Sequence, residues 1–427
     1  MKLTILILLF TAAVAFGQTP APSNNFVPSD ELNAQLPKWL RFSGEYRARM
    51  EGFTGGAFKP SNDDLYLLNR FRLNLKIQPV SWLKFNFQGQ DARVWGKNQK
   101  PAAPPFQDTM DLRMAYVEIG DVEKGAFALR TGRQELFFGE QRLVGHVSWL
   151  NTARTFDAIR ATVRHNGYRL DAFASSVVNI KDGEWNHHQQ GNNFHGVYGG
   201  IEKLIPKAVV EPYVFWRLGA GSLDFKTYGA RWVGKLPLNF DYGTEMARQS
   251  GAFGKDSIGA WAGHWRIGYT TPSLRWKPRW IAEYNYATGD DNPRDTRRGT
   301  FDILYPTPHD KYGVADQVGW KNIHHFRAGP EMKPAAQWMM SSNYHSWWLA
   351  DTHDALYAAG GAAVARVASG DVGNHVGQEI DVQVTYTASK QLQLSGGFAH
   401  IFPGEFLKKA TPGKSYNYPY LMLGYAF

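Results

Sequence analysis

The chain repeats a two-residue alternation of polar and apolar side chains. Between residues 70 and 78 it reads RFRLNLKIQ, in which one parity holds only Arg, Asn, Lys and Gln and the other only Phe, Leu and Ile. Because successive side chains of a strand point to opposite faces, this pattern predicts a β-strand with one wet face and one apolar face. A soluble β-sandwich alternates in the same way, so the pattern alone leaves soluble and membrane sheets open.

The same two faces recur along most of the chain. WLRFSGEYRARME (39–51), WLKFNFQGQ (82–90) and QEIDVQVTY (378–386) divide almost completely by parity. Looser versions of the pattern occur at 156–164, 240–249, 265–270 and 280–286. No segment shows a convincing helical period, so we predict an all-β protein.

The residue types on the two faces favour a membrane barrel. The polar parity is rich in Arg, Asn, Gln and Glu, while the apolar parity is rich in Trp, Tyr, Phe and Leu, as expected for a wet lumen inside a lipid-facing wall with aromatic girdles. Beyond the N-terminal segment no apolar stretch has the length of a membrane helix, so a spanning protein of this composition would be a closed barrel. The ending YPYLMLGYAF, with Phe427 last, resembles the terminal strand of bacterial outer-membrane barrels.

The N-terminus has the features of a secretory signal. Lys2 precedes an apolar run over 3–15, and the small residues Ala15 and Gly17 fit a cut after Gly17. An N-terminal membrane anchor is the weaker alternative, because the run is short and prolines follow it. We predict a signal peptide at 1–17, a periplasmic N-terminal extension at 18–38 and a β-barrel at 39–427 in the outer membrane of a Gram-negative cell.

Chain length sets the size of the barrel. About 410 residues remain after the signal, and about 22 or 23 residues per strand with its connection give about 18 antiparallel strands, an even number as single-chain barrels require. A barrel of that size is wide enough for an aqueous channel, which makes transport the expected role. Polar stretches without a clear period are predicted as loops, some of which can fold into the lumen: 96–109, 181–193, 287–317 and 351–375.

Composition excludes several chemistries. There is no cysteine, which removes disulfides, thiolate metal sites and cysteine nucleophiles. With 47 Lys and Arg against 38 Asp and Glu, the formal charge is +9, which favours anionic polymers or membrane surfaces as partners. Nucleic acid is not an expected partner, because the basic residues follow strand parity instead of forming one patch.

A first set of basic residues lies on the polar parity of the first two strands and predicts a polar, basic lumen. The set is Arg41, Arg47, Arg49, Arg70, Arg72 and Lys76. Such a wall attracts and guides anions, and the guanidinium fork suits uronate or sulfate groups. The alternative is that these groups pair with acidic residues across the lumen and only stiffen the wall.

A second set is interleaved with acidic residues between 131 and 163. It comprises Arg133, Arg142, Arg154 and Arg160 together with Glu135, Glu140 and Asp157. The density of opposite charges indicates a hydrogen-bonded network. A glycosidase pair of Glu135 and Glu140 is disfavoured, since the neighbouring arginines would lower the pKa of both carboxyls.

Other candidate motifs are incomplete. His187 and His188 lie on a polar stretch without a fixed third metal ligand, and GDDNPRD at 289–295 lacks the EF-hand spacing for calcium. There is no G-x-S-x-G motif for a serine hydrolase. We predict no catalytic residue, no metal and no cofactor.

Four blocks carry a family resemblance. TGRQELFFGEQRLVG, WLNTARTFDAIRA, ATGDDNPRDTRRGTFDILYPTPHDKYG and DALYAAGG are similar to the bacterial alginate-export family of outer-membrane porins. The resemblance implies a monomeric 18-stranded barrel with an arginine-lined, electropositive constriction through which a polyuronate chain leaves the cell. It places the arginine of the GRQ block at Arg133 and that of the TFDAIR strand at Arg160. Asp157 has the opposite parity to Arg160, so it faces away from the lumen unless a bulge intervenes.

Three functions remain open at this stage. The first is a channel for an anionic polysaccharide such as alginate, supplied by periplasmic polysaccharide-secretion proteins. The second is a general anion-selective porin for small solutes. The third is an outer-membrane hydrolase or adhesin whose lumen is closed.

Overall fold

A computed structural model describes residues 27–98 and 102–427 of the protein. The predicted signal peptide at 1–17 and the first part of the predicted extension lie outside the described residues. Within residues 28–35 the chain forms a helix, α1 (Pro28–Gln35), directly before the barrel. The side-chain amide of Asn33 receives a hydrogen bond from the Phe42 backbone NH (2.8 Å) and donates one to the Phe42 carbonyl (2.7 Å), which fixes α1 against the first strand.

In the described residues, eighteen antiparallel strands form a single closed barrel, which confirms the predicted all-β fold and its size. In chain order they are β1 (Leu40–Phe53), β2 (Asp64–Val80), β3 (Leu83–Trp95), β4 (Asp108–Gly120), β5 (Phe127–Gln134), β6 (Phe156–His165), β7 (Tyr168–Asn179), β8 (His187–Ile201), β9 (Ala208–Gly219), β10 (Leu223–Lys235), β11 (Phe240–Phe253), β12 (Asp256–Thr270), β13 (Arg279–Ala287), β14 (Ile323–Met332), β15 (Trp338–Leu349), β16 (His375–Thr387), β17 (Leu392–Pro403) and β18 (Tyr416–Ala426).

The barrel closes where the last strand pairs with the first. Ala426 of β18 lies opposite Glu45 of β1, and Tyr420 lies opposite Glu51. The terminal residue completes the seam, since the Phe427 backbone NH donates to the Gly44 carbonyl at 2.9 Å and its carbonyl accepts from the Gly44 NH at 2.6 Å. Closure leaves no unpaired edge among the described barrel strands, which is what a sheet in lipid requires.

The strand register preserves the two faces around the ring. Directly opposite residues share a face, so the inward side of Arg47 is shared by Arg70 on β2, and the outward side of Tyr46 is shared by Phe71. Exposed aromatic and aliphatic side chains occupy the outward parity. An arginine on that face near the bilayer midplane would cost about 2 to 4 kcal/mol, so the alternation fixes the register.

The two ends of the barrel differ in the length of their connections. The turn between β2 and β3 (81–82) and the turn between β6 and β7 (166–167) contain only two residues each, and both α1 and Phe427 lie at this end of the barrel. The other end carries the long segments 135–155, 288–322 and 350–374. Short turns face the periplasm and long loops face outward in outer-membrane barrels.

Several short elements depart from the expected pattern. The composition of 181–193 predicts a loop, but β8 already begins at His187, opposite Asn179 of β7. Polar side chains suffice there because the pairing lies at the outer end of the strands. A short helix, α2 (Glu405–Ala410), and a two-stranded ribbon of Leu356–Tyr357 with Ala363–Ala365 are too short to show a period. No helix in the described ranges is long and apolar enough to cross a membrane.

The hydrophobic core lies inside the barrel, between the wall and the long loops. Phe138, from the connection between β5 and β6, stacks on Tyr198 of the wall at 4.7 Å between ring centroids and on Phe173 at 5.5 Å. Tyr305, from the connection between β13 and β14, contacts Phe194 at 4.9 Å, and Val144 forms a parallel β-bridge with Tyr305. The outer loops therefore fill much of the lumen.

Candidate functional site

Residues 135–155, here called the inner loop, cross the lumen between β5 and β6. On the β1–β2 wall, Arg47 Nη1 donates to the carbonyl of Ser148 at 2.8 Å, and Arg70 Nη1 donates to the same oxygen at 3.0 Å. Both arginines also reach the Leu150 carbonyl at 3.3 Å. The basic wall expected from strand parity therefore exists, and part of it holds a loop in place.

Trp149 lies at the centre of this contact. The guanidinium carbon of Arg49 is 3.8 Å from the centroid of the indole, and the ring of His309 stacks on it at 3.7 Å with an interplanar angle of 6°. His309 Nδ1 is 2.8 Å from an oxygen of Asp316, which orients the imidazole. The indole is thus held between a cation from the wall and an imidazole from a second loop.

The inner loop is also attached to the opposite wall. Three arginines approach the Glu140 carboxylate: Arg266 of β12 at 3.1 Å, Arg231 of β10 at 3.3 Å and Arg142 of the inner loop itself at 3.5 Å. Burial alone would raise the pKa of Glu140, but these arginines together with His264 outweigh it and hold the pKa at about 2. The inner loop therefore crosses the bore and is bound by arginines on both walls.

Two cavities lie on either side of Trp149. A periplasmic cavity of about 760 Å³ is lined by Arg47, Arg70, Arg72 and Arg113 and reaches the turn between β16 and β17. An outer cavity of about 510 Å³ is lined by Arg49, Lys97, Tyr66, Phe106, Tyr416 and Tyr418 and reaches the loop between β1 and β2. Trp149 lines both cavities, so the indole marks the boundary between them.

The periplasmic cavity has an excess of positive charge. Its lining includes six Lys or Arg residues, Arg47, Arg70, Arg72, Arg113, Lys311 and Lys390, against three carboxylates, Glu45, Glu135 and Asp310. Glu45 accepts from Arg70 at 2.8 Å and from Arg72 at 3.1 Å, and Glu135 accepts from Arg113. Burial would raise the pKa of Glu135, but Arg113 and His146 keep it lowered. The basic groups of the lining therefore outnumber its carboxylates by three.

Arg133 does not belong to this cavity, which corrects the placement that the family motif suggests. In the register of β4, β5 and β6, Arg133 lies opposite Ala115 and Asp157 on the outward parity. It pairs there with Asp157, whose outward position parity had predicted, at 2.8 Å from Nε. Parity within FALRTGRQ already groups Arg133 with Phe127 and Leu129, and that signal is more informative than the motif.

Arg160 faces the lumen but is covered. It donates from Nε and Nη2 to one oxygen of Asp171 at 3.0 and 2.8 Å, and its guanidinium lies 5.4 Å from the centroid of Phe138. Only 6 % of its surface is exposed. Arg160 therefore supports the wall beneath the inner loop and does not line either cavity.

The other predicted residues divide into two groups. Arg142 is buried against Glu283 at 3.0 Å, and Arg154 donates to the carbonyls of Gly145 and Pro306 at 3.0 Å, so both brace loops. Burial lowers the pKa of Arg154 to about 10. Arg41 bonds to the Pro37 carbonyl at 2.7 Å near the periplasmic end, and Lys76 lies opposite it in the β1–β2 register.

Several residues of the site were not predicted from the sequence. Arg113 enters the lumen because the register between β3 and β4 shifts after Gln88, which changes the parity of β4. Trp149, His309 and Lys311 come from loops, where no periodicity signals an inward position. Burial lowers the pKa of Lys311. Such contacts depend on loop docking, so no local pattern could have identified them.

A buried histidine chain runs through the wall on β14, β15 and β16. His325 and His345 are joined by a ring-nitrogen contact of 2.9 Å, and His345 Nε2 is 2.9 Å from Asp381. The rings of His325 and His345 lie nearly parallel. The described residues contain no cluster of three or more His, Cys, Asp or Glu arranged to hold a metal. This row of buried histidines therefore serves as polar packing within the wall.

Solved barrels share this architecture. The structure of Pseudomonas aeruginosa OpdO aligns over 92 % of this chain and 99 % of its own chain, with a TM-score of 0.64 and 14 % sequence identity. The structure of P. aeruginosa OpdQ aligns over 91 % of this chain and 98 % of its own chain, with a TM-score of 0.64 and 12 % sequence identity. The structure of Acinetobacter baumannii OccAB2 aligns over 90 % of this chain and 98 % of its own chain, with a TM-score of 0.62 and 11 % sequence identity. At these identities the likeness concerns the fold. No match was found among curated proteins.

A closed barrel of 18 strands with a basic lumen and cavities on both sides of an inner loop defines an outer-membrane channel. The protein resides in the Gram-negative outer membrane. The family model for alginate export matches residues 38–420, and the chain belongs to that family.

Proposed function

We propose that this channel conducts carboxylate-bearing sugars, up to a linear polyuronate such as alginate, along the arginines that line its two cavities. The observation that carries the proposal is the grouping of Arg47, Arg70, Arg72 and Arg113 around the periplasmic cavity, with Arg49 beyond the indole of Trp149. Arginine offers a carboxylate two parallel hydrogen bonds, which suits a uronate better than a neutral sugar.

The contacts of these arginines fit repeated, exchangeable binding. Arg47 and Arg70 donate to loop carbonyls, which are neutral acceptors, so an incoming carboxylate competes on favourable terms. Arg72 and Arg70 share the single carboxylate of Glu45. A chain held weakly at several successive points can move on, whereas one held tightly at a single point cannot.

Channel block tests the proposal. The purified protein in a planar bilayer should give a conductance step that oligouronates interrupt in a salt-dependent manner when added on the periplasmic side. Neutral dextran of the same length is the control and should cause no interruption. A cation-selective current, or one that oligouronate leaves unchanged, would contradict the proposal.

A second candidate is an anion-selective porin for small solutes. The observation in its favour is the filling of the lumen, since Trp149 and the loop core leave cavities of about 510 and 760 Å³ instead of one open bore. Permeation by glucuronate without any block or passage of longer oligouronates would select this candidate. Absence of any conductance step would favour a closed-lumen barrel with a hydrolytic or adhesive role.

The expected partners follow from the same proposal. We infer that outer-membrane lipid surrounds the barrel, that the chain works as a monomer, and that periplasmic polysaccharide-secretion proteins would present the cargo at the end that carries the short turns. No cofactor takes part in passive conduction.

A further inference from the structure

Very few basic residues face the lipid. On the outward parity of the described barrel strands the Lys and Arg residues are Arg93, Arg133, Lys226 and Arg248. Arg93 pairs with Asp91 at 2.7 Å and Arg133 with Asp157 at 2.8 Å. Within the part of the chain that the structure describes, neither Lys226 nor Arg248 forms an ion pair or a side-chain hydrogen bond. These two residues are neighbours on adjacent strands.

Register places both among the outer aromatic residues. Lys226 of β10 lies opposite Trp216 of β9, and its ammonium is 5.3 Å from the indole centroid. Arg248 of β11 lies opposite Tyr228 on one side and Trp261 on the other. All three rings are at least 37 % exposed, as expected for an aromatic belt at a membrane surface.

The height of Arg248 fits the outer edge of the membrane. It is eight residues above Phe240, where β11 starts at the periplasmic end. At about 3.4 Å per residue and a strand tilt of about 40°, this corresponds to about 20 Å, close to the outer limit of an apolar band about 25 Å tall. Lys226 lies one pair further out, beside Ser250.

A third cation reaches the same place from a loop. Arg297 pairs with Ser257 at the start of β12, and its Nε would lie 3.9 Å from a Cβ added at Gly259. Gly259 faces outward opposite Ser250. The guanidinium of Arg297 is exposed and has no hydrogen-bond partner among residues 27–98 and 102–427. The small residues Ser250 and Gly259 therefore lie between the three cations in the strand register.

We propose that Lys226, Arg248 and Arg297 bind a phosphate group of the phosphorylated glycolipid in the outer leaflet. The site faces lipid, at the level of the headgroups, so a solute in the lumen cannot reach it. Three cations that have no ion-pair partner in the described structure and are grouped around two small residues fit a phosphate, which accepts two hydrogen bonds from one guanidinium. On the described barrel strands, the outward cations without an ion-pair partner lie only on the neighbouring strands β10 and β11, and strands β14 to β18 have no outward Lys or Arg.

Lipid binding to the full-length protein in detergent tests the proposal. The probes are bisphosphorylated lipid A and the same lipid with both phosphates removed, and native mass spectrometry measures the bound fraction. We expect one bisphosphorylated lipid per barrel and at least tenfold weaker binding of the dephosphorylated form. Equal binding of both lipids by the unaltered protein would overturn the proposal without any variant.

A triple variant then assigns the site. Lys226→Gln, Arg248→Gln and Arg297→Gln together should weaken binding of the bisphosphorylated lipid at least tenfold. The matched control is Asp91→Asn with Arg93→Gln, which removes an outward ion pair elsewhere on the barrel and should leave binding unchanged. Heat-modifiable migration in gels verifies folding of both variants. Retained binding in the folded triple variant, or an equal loss in the control, would refute the assignment.

Discussion

Replacing Arg70 and Arg72 by glutamine together should make the channel markedly less anion-selective. Both guanidiniums line the periplasmic cavity, and both donate to Glu45. The Glu45 side chain is 37 % exposed, so water can solvate the carboxylate when its partners are removed. The lining then keeps four basic groups against three carboxylates, so most of its positive excess is lost.

Coulomb's law gives the size of the effect. At an effective dielectric constant between 20 and 80, an anion passing about 7 Å from one guanidinium is stabilised by about 0.6 to 2.4 kcal/mol. Two such charges correspond to a drop of about tenfold or more in the ratio of anion to cation permeability. The effect should be largest at 0.01 M salt, where the Debye length is about 30 Å, and small at 1 M, where it is about 3 Å.

The reversal potential in a planar bilayer under a salt gradient measures this ratio. Arg133→Gln is the matched control, because Arg133 faces outward and pairs with Asp157. The double variant should shift the reversal potential toward the cation value, while the control should not. An unchanged potential in the double variant, or an equal shift in the control, would show that ions do not pass the basic wall as argued.

Two further predictions concern the inner loop and the wall. Glu140→Gln should increase current noise at pH 7, because it removes the ion pairs that hold the inner loop. In the unaltered protein the depressed pKa of Glu140 contributes up to about 3 kcal/mol, so these ion pairs should persist above pH 4.5 and weaken only as the pH falls toward about 2. Equal noise in the variant and the unaltered protein at pH 7 would contradict this role of Glu140. His345→Ala removes the buried ion pair with Asp381 and leaves that carboxylate only its hydrogen bond from Asn343, so it should lower the free energy of unfolding in urea by about 3 kcal/mol. His353→Ala, at a side chain 51 % exposed, should change the free energy of unfolding by less than about 0.5 kcal/mol. Similar losses in both variants would contradict the role given to burial.

The outer wall of this protein follows from its sequence. Alternation of side chains is a local property of a strand, so RFRLNLKIQ and QEIDVQVTY fix which side chains face lipid and which face the lumen. The length of the chain sets the number of strands. The inward positions of Arg47, Arg49, Arg70 and Arg72 follow from the same rule and are those found.

The same rule shows where motif-based reasoning fails. Arg133 stands out in the GRQ block, yet it shares parity with Phe127 and Leu129 and lies outside. Its neighbour Gly132 has a φ of +119°, and a Cβ there would lie 2.3 Å from the Ala115 carbonyl oxygen, so the motif contains a backbone requirement. A prominent residue in a recognisable block is therefore not by itself a functional residue.

The tertiary structure alone decided the interior. The positions of Trp149, His309 and Glu140 depend on loops that dock against strands far away in sequence, and Arg113 turns inward only because the register between β3 and β4 shifts. A loop has no period, and its place is set by the arginines and aromatic rings that it meets on the wall. The sequence therefore determined a barrel with a basic lining, while long-range packing determined which of its cations border the cavities.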